Sequence, residues 1–156
     1  MNLAKLNATV VLLLLSVAWA SGARQVIQPK EFPAGRPFSP GLLVDGTLYV
    51  SGQVGQDLKT GQIPGEFEAE MRQCLDNIGL ILKEAGMGFE DVVSVQVYLT
   101  DIGLFARMNA VYMTYFKEPR PTRTTVGVAG LAGPAKVEIT VTARRVAAVR
   151  KGGAKK

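Results

Sequence analysis

The chain has 156 residues, 47% of them hydrophobic, with 18 basic and 13 acidic side chains, one Cys and no His. A single domain of this size buries roughly two thirds of its unfolded surface, so it needs neither disulfides nor a structural metal to hold a core. Without histidine there is no Ser-His-Asp triad, no Cys-His dyad and no imidazole metal ligand, and a lone Cys excludes intrachain disulfides and CxxC sites. Chemistry falls to Arg, Lys, Glu, Asp, Tyr, Ser, Thr and backbone amides.

Residues 1–20 read as an export signal. Lys5 supplies the positive start, Val10 to Leu15 with Val17 and Ala18 form a short apolar stretch, and Ala18-Trp19-Ala20 fits the small-x-small cleavage pattern. A cut as late as Ala23 fits too. The apolar run falls short of the roughly 18 residues needed to span a bilayer, so the expectation is a periplasmic or secreted protein with its domain at residues 24–146.

Leu42-Leu43-Val44, Asp45-Gly46 and Thr47 to Ser51 form two strand-like runs joined by a two-residue Asp-Gly turn, a strong hairpin signal. Phe67, Met71, Cys74, Leu75, Ile78, Ile81, Leu82 and Ala85 recur at helical spacing, so the pattern predicts an amphipathic helix over Glu66 to Ala85, stopped by Gly86. Cys74 lies in that stripe as a packed thiol. Val93, Val95, Val97 and Leu99 alternate with polar residues as in a strand. Asp101 is placed to cap a second helix with the stripe Ile102, Phe105, Met108, Tyr112 and Phe116, ended by Pro119-Arg120-Pro121. Strands at Thr124 to Ala129 and Lys136 to Val146 follow. One mixed sheet with two helices on one face is the simplest layered solution. Valine-rich strands with apolar residues on both faces point to self-association.

The net charge of +5 is local. Residues 24 to 143 hold eleven basic and thirteen acidic side chains, a balance of −2, whereas residues 144 to 156 hold six basic and no acidic ones. The stretch 147–156 reads as a basic, frayed tail, hydrated or able to touch anionic surfaces such as membrane or RNA. No aromatic residue interleaves with its charges, which argues against stacking on single-stranded nucleic acid.

Arg123 stands between a Pro-bounded loop and a strand, and Glu138 follows fifteen residues later on the face opposite Val137, Ile139 and Val141. If the two strands form a hairpin, the two side chains approach each other. Spacing alone makes them no more than a surface ion pair.

The ordered set Pro37-Phe38-Ser39-Pro40-Gly41, Val50-Ser51-Gly52-Gln53-Val54-Gly55, Arg72 to Asn77 with Glu84-Ala85-Gly86, Asn109-Ala110-Val111-Tyr112, Pro121 to Val126 and Val137-Glu138-Ile139 resembles the RidA/YjgF family of imine and enamine deaminases. The resemblance runs from about Gln25 to Arg145. It implies a chorismate-mutase-like α+β fold assembled as a homotrimer around a barrel-like core, with clefts between subunits. It also implies hydrolysis of 2-aminoacrylate and related 2-imino acids to 2-keto acids and ammonia, without cofactor or metal. Arg123 and Glu138 match the family's catalytic positions, and Phe38, Ser51, Asn109 and Thr125 match other cleft positions. The guanidinium suits a carboxylate held by two parallel hydrogen bonds, and the carboxylate suits a base that directs water. Phe38 stands where many deaminating members have tyrosine, and Thr125 where many have cysteine. Two other readings share the same residues: an exported trimer that binds small carboxylates without catalysis, and a trimer whose basic tail engages RNA or a membrane surface.

Overall fold

The computed structural model describes residues 23–145. The expected signal at 1–20 and the basic tail at 147–156 lie outside the described residues. In chain order the elements are β1 (Gln25–Ile27), β2 (Gly41–Val44), β3 (Thr47–Val54), α1 (Phe67–Glu84), β4 (Val92–Leu99), α2 (Phe105–Tyr115), β5 (Thr122–Gly127) and β6 (Val137–Arg144). They build the expected α+β architecture. A single six-stranded sheet runs in the order β1-β2-β3-β6-β4-β5, antiparallel throughout except for the parallel pair β4–β5.

The turn between β2 and β3 follows from its residues. Asp45 and Gly46 both take positive φ, 49° and 75°, the geometry that suits the twist of paired antiparallel strands. Helix α1 ends in a Schellman motif: Gly86, at φ 67°, donates to the Lys83 carbonyl and Met87 to that of Leu82. Met71, Leu75, Ile78 and Ile81 of α1 are fully buried against Val95, Val97, Val137, Ile139 and Val141 of the sheet. Each such side chain contributes about 2 kcal/mol of burial.

Several sequence expectations change here. Strand β1 carries no alternating pattern and forms by pairing with β2. A register irregularity between Val92 and Ser94 turns Val93 outward, while Val92, Val95, Val97 and Leu99 point into the core. Asp101 caps a short 3-10 turn, Ile102–Leu104, by accepting from the Gly103 N–H at 2.8 Å, and that turn leads into α2. Ile102 and Phe105, expected in the core stripe, are 55% and 41% exposed. The largest change concerns the last two strands. They form no hairpin: β6 inserts between β3 and β4, and β5 lies beyond β4 at the sheet edge.

Three buried polar groups fix the loops around this sheet. Asn77 donates to the Val54 and Gln56 carbonyls at 3.1 and 2.9 Å, and Cys74 to the Gln53 carbonyl at 3.0 Å, so α1 holds the end of β3. Burial pushes the Cys74 thiol well above its usual pKa, which keeps it protonated and inert. Glu70, fully buried, accepts from the Lys136 and Val137 N–H groups and so fixes the start of β6.

On the surface, Glu68 of α1 and Arg107 of α2 form a two-point ion pair at 2.7 and 2.6 Å. Hydrogen bonding to Arg107 lowers the Glu68 carboxyl to about 2. A carboxyl depressed in the folded state lends stability that is complete above its ordinary value of 4.5 and disappears as pH falls through about 2. Both partners are solvent-accessible, so the effect is small. Glu68→Gln should therefore flatten the loss of stability between pH 4.5 and 2 relative to wild type, as read by urea denaturation at fixed pH. An unchanged slope would show that the pair does not couple the two helices.

Candidate active site

Sheet parity decides where the candidate residues lie. Arg123 sits opposite Val95 in the β4–β5 ladder, whereas Glu138 sits opposite Tyr98 in the β4–β6 ladder. Val95 points to the helices and Tyr98 to the other face, because successive side chains alternate. Arg123 and Glu138 thus project from opposite faces, with β4 between them and their strands roughly 10 Å apart. Within one chain they do not meet, contrary to the hairpin expectation.

Each of them belongs to a separate recess. The first has a volume of about 510 Å³ and is lined by Phe38, Ser51, Gly52 and Glu138, together with Arg36, the β3 end and the following loop. The second, of about 420 Å³, is lined by Asn109, Tyr112, Met113, Arg120, Pro121 and Arg123. Thr125 lines neither. It lies two residues beyond Arg123 on the helix-facing side of β5, and its hydroxyl is buried with no hydrogen-bond partner among the described residues. The six candidates therefore divide into Phe38, Ser51 and Glu138 on one side and Asn109, Arg123 and Thr125 on the other.

In the first recess, the register of β3 against β6 shifts between Val50 and Gln53. This bulge brings Gly52 under the Glu138 side chain, where a Cβ would collide with its carboxylate oxygen. Glycine here leaves room for the acid. The Ser51 hydroxyl donates to the Ser39 carbonyl at 2.7 Å, and the Ser51 N–H to the Pro40 carbonyl at 3.0 Å. Ser51 thus ties the Phe38 loop to β3, and its donor is spent on that contact. Glu138 is half-buried and has no cation within ion-pair distance among the described residues.

In the second recess, Arg123 lies over the Tyr112 ring, its Cζ 4.5 Å from the centroid, and 5.6 Å from the Phe105 centroid. One of its nitrogens meets the Met108 sulfur at 3.8 Å. Aromatic faces attract a guanidinium and hold its plane while leaving its N–H edge available. No carboxylate pairs with Arg123 among the described residues. Burial raises the Tyr112 phenol above its usual pKa, opposed in part by Arg123 and Arg120. The sequence reading assigns no role to Gly52 or Tyr112, although both fall within the quoted motifs. The signals were a glycine inside a strand and an aromatic residue one helical turn from Asn109.

The two-layer α+β fold carries, among the described residues, an unpaired guanidinium on one face and an unpaired carboxylate on the other, each in its own recess. A family model described as Endoribonuclease L-PSP matches residues 29–145, and the chain belongs to that family, the RidA/YjgF family. A relative from Bos taurus named 2-iminobutanoate/2-iminopropanoate deaminase is 43% identical over 122 residues, covering 77% of this chain and 89% of the relative. Among solved structures, RidA from the Antarctic bacterium Psychrobacter sp. is 37% identical with a TM-score of 0.75, covering 78% of this chain and all of that one. Escherichia coli TdcF with bound serine is 32% identical with a TM-score of 0.73, covering 78% and 99%.

The Gly52 contact yields a prediction. Gly52→Ala should leave thermal stability within a few degrees of wild type, because the obstructing atom is the mobile end of Glu138. It should nevertheless displace that carboxylate and lower any activity depending on it by at least tenfold. A variant with full activity would show that the carboxylate position is not fixed by Gly52.

Proposed function

We propose that the protein is a cofactor-independent hydrolase of 2-imino acids, acting in clefts between the copies of a homotrimer. Each cleft would join the Arg123 recess of one copy to the Glu138 recess of its neighbour. The observation that carries this reading is that both charged groups are half-buried, face a recess and lack a partner of opposite charge among the described residues. Half-buried charges are costly unless a counter-charge or hydrogen bonds complete them; a small anion supplies the counter-charge for Arg123, and the attacking water donates a hydrogen bond to Glu138. The name of the bovine relative and the serine bound to TdcF support a ligand with an amino-acid skeleton. Exposed apolar side chains at Tyr49, Val126 and Phe105 supply surface for contact between copies.

The geometry leads to a sequence of steps. Arg123, held flat by Tyr112, grips the substrate carboxylate through two charge-assisted hydrogen bonds, with Asn109 beside it. This leaves C2 of the imine facing Glu138 of the adjacent copy. Glu138 takes a proton from water as its oxygen bonds to C2, and the C=N π pair moves to nitrogen. Glu138 returns that proton to nitrogen to complete the carbinolamine, then takes the hydroxyl proton and passes it to the same nitrogen, so that the C–N bond breaks and ammonia leaves as the C=O bond forms. Imine and water are converted to 2-keto acid and ammonia, with no oxidant. An enamine such as 2-aminoacrylate enters after protonation at C3 gives the imine. Because imines hydrolyse readily, positioning supplies most of the acceleration needed.

The test generates 2-iminopropionate in situ with an amino-acid oxidase and follows its disappearance. Wild type should accelerate the loss. Arg123→Ala should lower kcat/KM by about a hundredfold through loss of the bidentate contact, with Arg123→Lys recovering only part of it. Glu138→Gln should lower kcat by about 10²-fold or more. A wild-type rate equal to the protein-free rate would refute deamination.

A further inference from the structure

A second arginine lies in the Glu138 recess. Arg36 precedes Phe38 in the loop that Ser51 ties down, and its guanidinium carbon is 5.8 Å from the Phe32 ring centroid and 5.7 Å from that of Phe38. Phe32 belongs to the hydrophobic core at 4% exposure, so one side of this clamp is anchored. Arg36 is itself half-buried, and it has neither an ion pair nor a hydrogen bond among the described residues. A guanidinium carries five N–H donors. Here all five are uncommitted.

The other polar groups of the recess are occupied. Gln53 donates to the Ser51 carbonyl and Gln56 to that of Gly61, both at 2.9 Å. Asn77 spends its amide on the β3 end, as described above, and accepts from Gln73 at 3.0 Å. Leu58, Val54 and Ala132 make the remaining wall apolar. Arg36 is therefore the one cationic donor with spare capacity among the side chains lining a recess whose other charge is the Glu138 carboxylate. A lone carboxylate at that end would complete Arg36, and the apolar wall would raise the strength of the contact.

We infer that Arg36 is an anion subsite for the far end of the substrate, selecting dicarboxylic 2-imino acids of four or five carbons. This rests on the deaminase reading. The carboxylate next to the imine goes to Arg123 of one copy, C2 faces Glu138 of the other, and the side-chain carboxylate reaches Arg36 on the same copy as Glu138. The two arginines fix both ends of the molecule, and Glu138 repels any pose that brings a carboxylate to the water position. A reaction that removes two electrons from an acidic amino acid supplies such an imine.

The experiment compares the imines formed in situ from aspartate and alanine by matching amino-acid oxidases, using wild type, Arg36→Gln and Arg36→Lys. Wild type should favour the aspartate-derived imine over 2-iminopropionate by at least tenfold in kcat/KM. Arg36→Gln should lower that ratio at least tenfold, and Arg36→Lys should restore part of it. A parallel calorimetric titration with 2-oxoglutarate and 2-ketobutyrate reads the same preference without turnover. If wild type hydrolyses neither imine yet binds 2-oxoglutarate more tightly in an Arg36-dependent manner, deamination fails and the subsite stands. A ratio unaltered by Arg36→Gln in both assays overturns the subsite, as does a loss of oligomer stability in that variant with no change in preference.

Discussion

The alternation of side chains across one strand governs this molecule. With β4 lying between β5 and β6, a three-residue offset along β4 sends Arg123 to the helix-covered face and Glu138 to the open one. No rotamer change brings them together through a hydrogen-bonded sheet. A site that needs both groups has to be built from two copies, and the same sheet that separates them fixes the backbone position of each.

Rigidity comes from polar groups that the core would otherwise exclude. Asn77 and Cys74 hold the end of β3, Glu70 holds the start of β6, and Ser51 holds the Phe38 loop. All four make hydrogen bonds to backbone groups, so removing any one leaves a backbone partner unsatisfied. Around them, the charged groups facing the two recesses have no ion-pair partner among the described residues: Arg36 and Glu138 in one recess and Arg123 in the other. Aromatic faces, not carboxylates, hold both arginines, which keeps their charge available for an anionic ligand.

Elements whose cause is local were legible in the sequence. The Asp45-Gly46 turn, the α1 stripe with its Gly86 stop and the alternation of β6 each follow from residues within a few positions of one another. Elements whose cause is distant were not. Strand β1 exists because β2 offers it an edge, and β5 pairs with β4 in place of its sequence neighbour β6, since β6 completes an antiparallel slot between β3 and β4. Ile102 and Phe105 fit a helical stripe, yet the 3-10 turn rotates them off the core. For the site, the motifs pointed to particular residues, but whether two of them share a chain's recess depends on strand order, which spacing does not encode. The buried roles of Glu70 and Asn77 left no signal in periodicity, because polar residues on an otherwise apolar face read as its boundary.

Mixing inactive subunits tests whether the site is shared between copies. Arg123→Ala and Glu138→Gln chains, each inactive alone, would be co-expressed in equal amounts with separable tags, and the mixed oligomers assayed for 2-iminopropionate hydrolysis. In a ring of three with each cleft drawing on two neighbours, every mixed ring regenerates one intact site of its three, and the mixed oligomers should show about a third of wild-type activity. Activity no greater than the sum of the two variants would place both groups in a single chain's site and contradict the account.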